Sequence, residues 1–366
     1  MENSSAIPLY AKAALISICI FAFVLLMSIG RHVIIPIVYA SILGILVNPI
    51  VNFLVRRKIN RIISISITVM LTISVVVGFL YIISSQLTMF SETYPQLKEK
   101  FNNTSMAAVR WVSGTFKISQ SKIYTWINET EMEAINNFEI GEKLSQVGQM
   151  ILTAMLLPVY LFMILFYKPL LIEFIRRLFT SKHHVALAEV LVSTKKIIQS
   201  YLVGLFFELI IIATLNSLGL LVIGIDYAII LGIIGAVLNI IPFIGGILAV
   251  TLPVIIAFVT KDSLSYPLLV ILLYLLIQFI DNHFIIPKIV ASRVQLNALI
   301  SLIVVLIGGA LWGIPGMFLS IPLTAILKVI FDHIDSLKPL GFLLGNIVPT
   351  TTRFSLSKQR IKTSSN

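Results

Sequence analysis

From Tyr227 to Thr260 the chain carries no charged side chain, and from Val294 to Leu327 it again carries none. A helix needs only about 20 apolar residues to cross a hydrocarbon core of about 30 Å. Each run is too long for one upright span, and each has Gly and Pro near its centre. Six other apolar runs have the length of single spans: Ala13–Gly30, Val33–Val55, Ile62–Ser84, Met150–Tyr167, Leu202–Gly224 and Leu264–Ile280. Soluble domains are about 25% charged, whereas this chain is 12% charged and 58% hydrophobic. Its own polar side chains cannot cover its apolar ones. The sequence reads as an all-α, polytopic integral membrane protein of about eight membrane segments, of which two (227–260 and 294–327) are broken or re-entrant. The first run lacks a small-residue cleavage site at its end and reads as the first span, not as a removed signal.

Basic charge gathers in three places. Arg56, Arg57, Lys58 and Arg61 fill one short connector, the segment 168–200 holds six basic and two acidic residues, and the tail from Lys328 holds six and two. Segment 86–147, the one sizeable stretch outside the apolar runs, has six Lys or Arg against seven Glu. This is the positive-inside pattern, which excludes a nucleic-acid patch and places both termini on the cytoplasmic side. The expected units are 1–85 (three spans), 86–147 (a helical extracytoplasmic cap), 148–330 (a transport core) and 331–366 (a cytoplasmic tail, partly disordered). Within 168–200, Arg176, Arg177, Lys195 and Lys196 lie on basic amphipathic stretches, Leu170–Phe179 and Ala186–Ile198. With Arg56 and Arg57 they form the surface expected to meet anionic headgroups.

Phosphate-cradling Gly-Lys loops, His-Glu-x-x-His and Gly-x-Ser-x-Gly are absent from the sequence. The chain is not expected to be an enzyme, to use a cofactor or to hydrolyse ATP. Its single cysteine, Cys19, rules out an intrachain disulfide and a Cys-based metal site.

The informative residues are polar ones at membrane depth. An ionised carboxylate at the centre of a spanning helix costs about 3 kcal/mol. Glu208 sits near the middle of Leu202–Gly224 and is either a protonatable, substrate-contacting group or a neutral interhelical hydrogen bond. Asn216 lies two turns further on, off that face by about 80°, and suits either the path or helix–helix adhesion. Gln278, Asp281 and Asn282 close the span ending at Ile280. Asp281 stands at a helix C-terminus, the wrong end for the dipole, and needs a partner such as Lys288, Arg293 or a cation. The broken runs carry Asn239, Pro242, Gly245 and Gly246 in one, and Gly309, Gly313 and Pro315 in the other. Paired apolar segments interrupted by Gly and Pro point to a transporter's binding region. The alternative is a pair of kinked packing helices. The charge count in the connectors leans toward hairpins over single tilted spans.

The stretches "LVNPIVNFLVRRKINR" (46–61), "LPVYLFMILFYK" (157–168), "YLVGLFFELI" (201–210), "LNIIPFIGGILAVTLPVIIAF" (238–258) and "DNHFIIPKIVASRVQLNALISLIVVLIGGALWGIPGMFLSIPLTAILKVI" (281–330) resemble the autoinducer-2 exporter family of bacterial membrane transporters. The resemblance implies eight spans in the bacterial inner membrane and an extracytoplasmic region between the third and fourth. It also implies homo-oligomers and export of a small polar molecule such as autoinducer-2, with sodium or lithium/proton antiport in other members. A Gln common in the family after the glycine at 204 is here Leu205, with Glu208 supplying polarity one turn later. The expected function is a secondary-type exporter coupled to a proton or Na⁺ gradient through Glu208 or Asp281. A cation/proton antiporter, a channel-like facilitator and a membrane scaffold are the alternatives.

Overall fold

The computed structural model describes residues 8–116, 119, 121, 125, 140–242, 244–261, 263–290 and 296–346. Every regular element among them is a helix, apart from one isolated bridge between Leu296 and Gly345. The chain runs α1 (Leu9–Ile29), α2 (Arg31–Arg56), α3 (Arg61–Phe116), α4 (Ile140–Leu178), α5 (His184–Ile223), α6 (Ala228–Asn239), α7 (Gly245–Thr260) and α8 (Ser265–Ile280). A π-helical segment (Asp281–Val290), α9 (Ala298–Trp312), α10 (Ile314–His333) and α11 (Lys338–Leu344) follow. Among the described residues, 7 helices are long and apolar enough to cross a membrane. Their outer faces are lined with bare hydrophobics, such as Phe21 at 69% exposure on α1 and Leu272 at 64% on α8. In water such a surface would aggregate; in a bilayer it faces acyl chains.

Helices are longer than the apolar runs inside them. The helix that carries the third span runs on past Ser84: α3 is one helix of 56 residues, about 84 Å long, of which Arg61–Phe79 is apolar enough to cross a membrane. The helical cap expected over 86–147 thus starts as an extension of α3, and most of 117–139 lies outside the described residues. The basic stretches Leu170–Phe179 and Ala186–Ile198 are not separate surface helices. They continue α4 to Leu178 and open α5 at His184, with a 3₁₀ turn (Ser181–His183) between. The tail beyond 346 lies outside the described residues.

Two prolines inside the spans, Pro49 and Pro169, leave carbonyls without helical donors, and neighbouring helices supply them. Pro49 removes the N–H that would bond the Ile45 carbonyl; Gln199 on α5 donates to it at 2.6 Å. Pro169 does the same to Leu165, and Arg61 donates to the Leu165 and Phe166 carbonyls at 3.1 and 3.0 Å. These bonds tie α5 to α2 and α3 to α4 alongside the packed apolar core of Ala40, Val47, Ile65, Leu161 and Leu165.

Both uncharged runs double back. In the first, α6 and α7 pack as a hairpin whose two ends meet: Lys261 pairs with Asp226 at 3.3 Å. In the second, α9 and α10 lie against each other through Gly308 and Gly316, where a Cβ on either would strike the other's backbone. The turn falls at Gly313, with φ 65° and ψ −146°, a backbone open to Gly and strained for any side chain. The tips point in opposite directions. Trp312, beside the second tip, donates to the Met27 carbonyl at 2.9 Å, next to the α1–α2 turn. The base of that hairpin is at the other end, where Asn297 donates to the carbonyls of Leu343 and Gly345 at 2.7 and 3.0 Å. The first hairpin hangs from the far end of α5 and is inserted from the α1–α2 side.

Candidate functional site

α5 carries a buried stripe at helical spacing: Ile198, Tyr201, Gly204, Glu208, Ile212, Asn216 and Leu220. Tyr201, Leu205 and Glu208 share one face of it. On α8, Tyr274, Gln278 and Asp281 recur at the same interval of four and three. The tip of the first hairpin is wedged between these faces. Together they enclose a cavity of about 640 Å³, a size that suits a small molecule. Its polar lining is Tyr201, Glu208, Asn239, Tyr274, Gln278, Asp281, Asn282 and Ser301; Leu205, Pro242, Gly246, Val250, Ile271, Leu296 and Ile321 supply apolar walls. The lining holds no Lys, Arg or His among the described residues. Among the described residues no three of His, Cys, Asp and Glu converge, which leaves Glu208 and Asp281 as the acidic donors.

Glu208 is 6% exposed and Asp281 0%. Asp281 Oδ2 accepts a 2.9 Å hydrogen bond from Asn239 Nδ2, which fastens the hairpin tip to the end of α8. Asp281 Oδ1 is buried without a hydrogen-bond partner among the described residues. The partner of Asp281 is thus an amide of the broken run; Arg293 lies outside the described residues. From Asp281 onward the helix widens into ten π-helical residues, a form that recurs at functional sites. Gln278 donates to Asn282 at 3.4 Å. Gly246 faces Gln278 so closely that a Cβ would meet its side-chain oxygen, with Asn239 Oδ1 at 3.6 Å.

The structure brings together Glu208, Asn239, Pro242, Gly246, Gln278, Asp281 and Asn282. It separates the others from the cavity. Gly245 is buried against the Leu238 carbonyl and Asn239 backbone and serves the turn. Asn216 sits behind the wall, near Gly235 and Tyr274, and among the described residues its Oδ1 has no hydrogen-bond partner. Gly309 packs on Met317, Gly313 makes the second turn, and Pro315 opens α10, its carbonyl accepting from Tyr39 at 3.3 Å. That second break is too near the α1–α2 end to reach the cavity, and its hairpin contributes Ser301 and Ile321 from lower down instead. Tyr201, Tyr274 and Ser301 carry no sequence signal of their own, because hydroxyl side chains are common in apolar helices. Helical spacing from Glu208 and Asp281 is what would have found the two tyrosines.

Of the basic residues, Arg56, Arg57, Lys195 and Lys196 are exposed, and Arg57 lies over the Phe53 ring at 5.2 Å. Arg176 and Arg177 share the one carboxylate of Glu173, at 2.7 and 3.0 Å.

The family model for AI-2E family transporters matches residues 15–336. The chain is 31% identical over 137 residues to YueF of Bacillus subtilis, which bears a provisional transport-protein name, and the match spans 37% of each chain. It is 31% identical over 121 residues to the AI-2 transport protein TqsA of Escherichia coli, spanning 33% of this chain and 35% of that protein. It is 28% identical over 175 residues to the Escherichia coli protein PerM, provisionally named a permease, spanning 48% of this chain and 49% of that one. The aligned part is thus between a third and a half of each relative's length.

Proposed function

Since the chain belongs to the AI-2E family of transporters, we propose that it moves a small polar molecule across the bilayer through the cavity between α5, α8 and the first hairpin. The observation that carries this reading is the cavity: about 640 Å³, at the depth where a broken helix ends, with two carboxyls, three amides and, among the described residues, no cation in its lining. Irregular backbone at such depth is tolerated where it lines a cavity. A polyol would find acceptors in Glu208 and Asp281 and two-way groups in Asn239, Gln278, Asn282 and Ser301. The name of TqsA supports autoinducer-2 as the cargo class. Export is the direction proposed, in an inner-membrane homo-oligomer with both termini cytoplasmic. Glu208 and Asp281 are the groups proposed to couple the cargo to a proton or Na⁺ gradient.

The two carboxyls, Glu208 and Asp281, in a lining whose described residues include no Lys, Arg or His favour a second reading, cation/proton antiport, in which they exchange Na⁺ or Li⁺ for protons. Full-length protein in proteoliposomes separates the two. Autoinducer-2 efflux driven by a proton or Na⁺ gradient supports the first; Na⁺ or Li⁺ flux against a proton gradient without cargo supports the second. Flux in both assays that is unchanged in Glu208→Gln and Asp281→Asn would overturn the role of the carboxyls.

A further inference from the structure

Three cations converge at the end of the bundle away from the α1–α2 turn. Lys168 on α4 reaches across to α2, where its ammonium donates to Asn48 Oδ1 at 2.9 Å. Arg61, at the start of α3, is anchored on the Leu165 and Phe166 carbonyls one turn before Lys168. Lys195 on α5 lies one turn before Gln199, which is bonded to α2 at Ile45, one turn before Asn48. Both Lys195 and Arg61 repel the Lys168 ammonium. The partners of Lys168 and Arg61 are neutral oxygens, and among the described residues no carboxylate pairs with any of the three. Lys168 is half-buried and Arg61 and Lys195 are exposed; hydrogen bonds hold the first two in place, so like charges are kept together at one point, where an anion would relieve their repulsion.

We propose that this cluster binds the phosphodiester headgroup of an anionic phospholipid. Its surroundings favour a lipid over a free anion. Bare apolar side chains flank it on three helices: Phe53 at 56% exposure, Ile62 at 51% and Tyr167 at 46%, a surface for acyl chains. Basic pockets between spanning helices at the charged face of a membrane take such headgroups. The site differs from the pair Arg176 and Arg177, which already hold a carboxylate, that of Glu173, between them. It clamps α2, α3, α4 and α5 at one point, so the lipid would brace the helix that carries Glu208.

The test is native mass spectrometry of the detergent-solubilised full chain titrated with dioleoylphosphatidylglycerol or dioleoylphosphatidylcholine. Retained phosphatidylglycerol, with little phosphatidylcholine, is expected. Lys168→Gln with Lys195→Gln should weaken it about twentyfold. Lys195→Gln alone, at an exposed position that leaves the fold intact, should weaken it about fivefold. Arg176→Gln with Arg177→Gln should leave it unchanged. Equal retention of both lipids, wild-type retention in the Lys195→Gln protein, or displacement of the lipid by equimolar inorganic phosphate would overturn the proposal. The assay needs no transport, so its outcome is independent of the function proposed above.

Discussion

A carboxylate with one oxygen satisfied and the other bare is an unstable thing to bury, and among the described residues Asp281 is buried in that state beside a cavity. Its hydrogen bond from Asn239 holds the hairpin tip in place. Charge and attachment can be separated by substitution. Asp281→Asn keeps an acceptor for Asn239 and removes the charge, so thermal stability should hold while gradient-driven flux falls. Asn239→Ala removes the donor and should cost about 2–3 kcal/mol, the range for a lost bond to a charged group, read as a drop in denaturation midpoint. If Asp281→Asn destabilises as much as Asn239→Ala, the carboxylate is structural. Gly246 gives a second prediction at this scale. The methyl of Gly246→Ala would press on Gln278 and should cost about 1–3 kcal/mol by overpacking. Adding Gln278→Ala should recover most of it; independent costs for the two changes would show that they do not touch.

Among the helices, the spans are held by bonds that prolines make necessary. Gln199→Leu should strand the Ile45 carbonyl and cost about 1–3 kcal/mol. Pro49→Ala in the same chain restores an N–H for that carbonyl and should return much of the loss. A thermal melt of the four proteins of this cycle checks it, and additivity of the two changes would count against the account. Such pairings are also where the sequence runs out. Pro49 in an apolar run announces an orphaned carbonyl, yet nothing local says that Gln199, 150 residues later, will answer it. The breaks at Pro242 and Gly313 were legible because Gly and Pro interrupt an uncharged run, and so were the carboxyls of Glu208 and Asp281, because charge is costly at that depth. That the two breaks differ in use was not legible. Both carry the same residue types, but one tip lies at the cavity and the other under the α1–α2 turn, a difference set by which end of the bundle each hairpin enters. The long helices were missed for a similar reason: apolar runs mark where lipid begins, and helices continue past it wherever no breaker intervenes.

The molecule as a whole places the cavity between two hairpins inserted from opposite ends. The first reaches it with its tip, at Asn239 and Pro242; the second borders it near its base, at Leu296 and Ser301. The topology has a direct test. Asp226 and Lys261 are joined at 3.3 Å, so both must face the same side, whereas a tilted span through 227–260 would put them on opposite sides. The pair is half-exposed on the Asp226 side and an ion pair of that kind is worth about 0–1 kcal/mol, so replacing either residue leaves the fold standing. With Cys19→Ser as background, Asp226→Cys and Lys261→Cys should each react with a membrane-impermeant maleimide from one and the same face of oriented vesicles. A cysteine at Asn297, at the base of the second hairpin, should react only from the other face. Labelling of Asp226→Cys and Lys261→Cys from opposite faces would mean that the first run crosses the bilayer, and the cavity would then lose the wall that the hairpin tip provides.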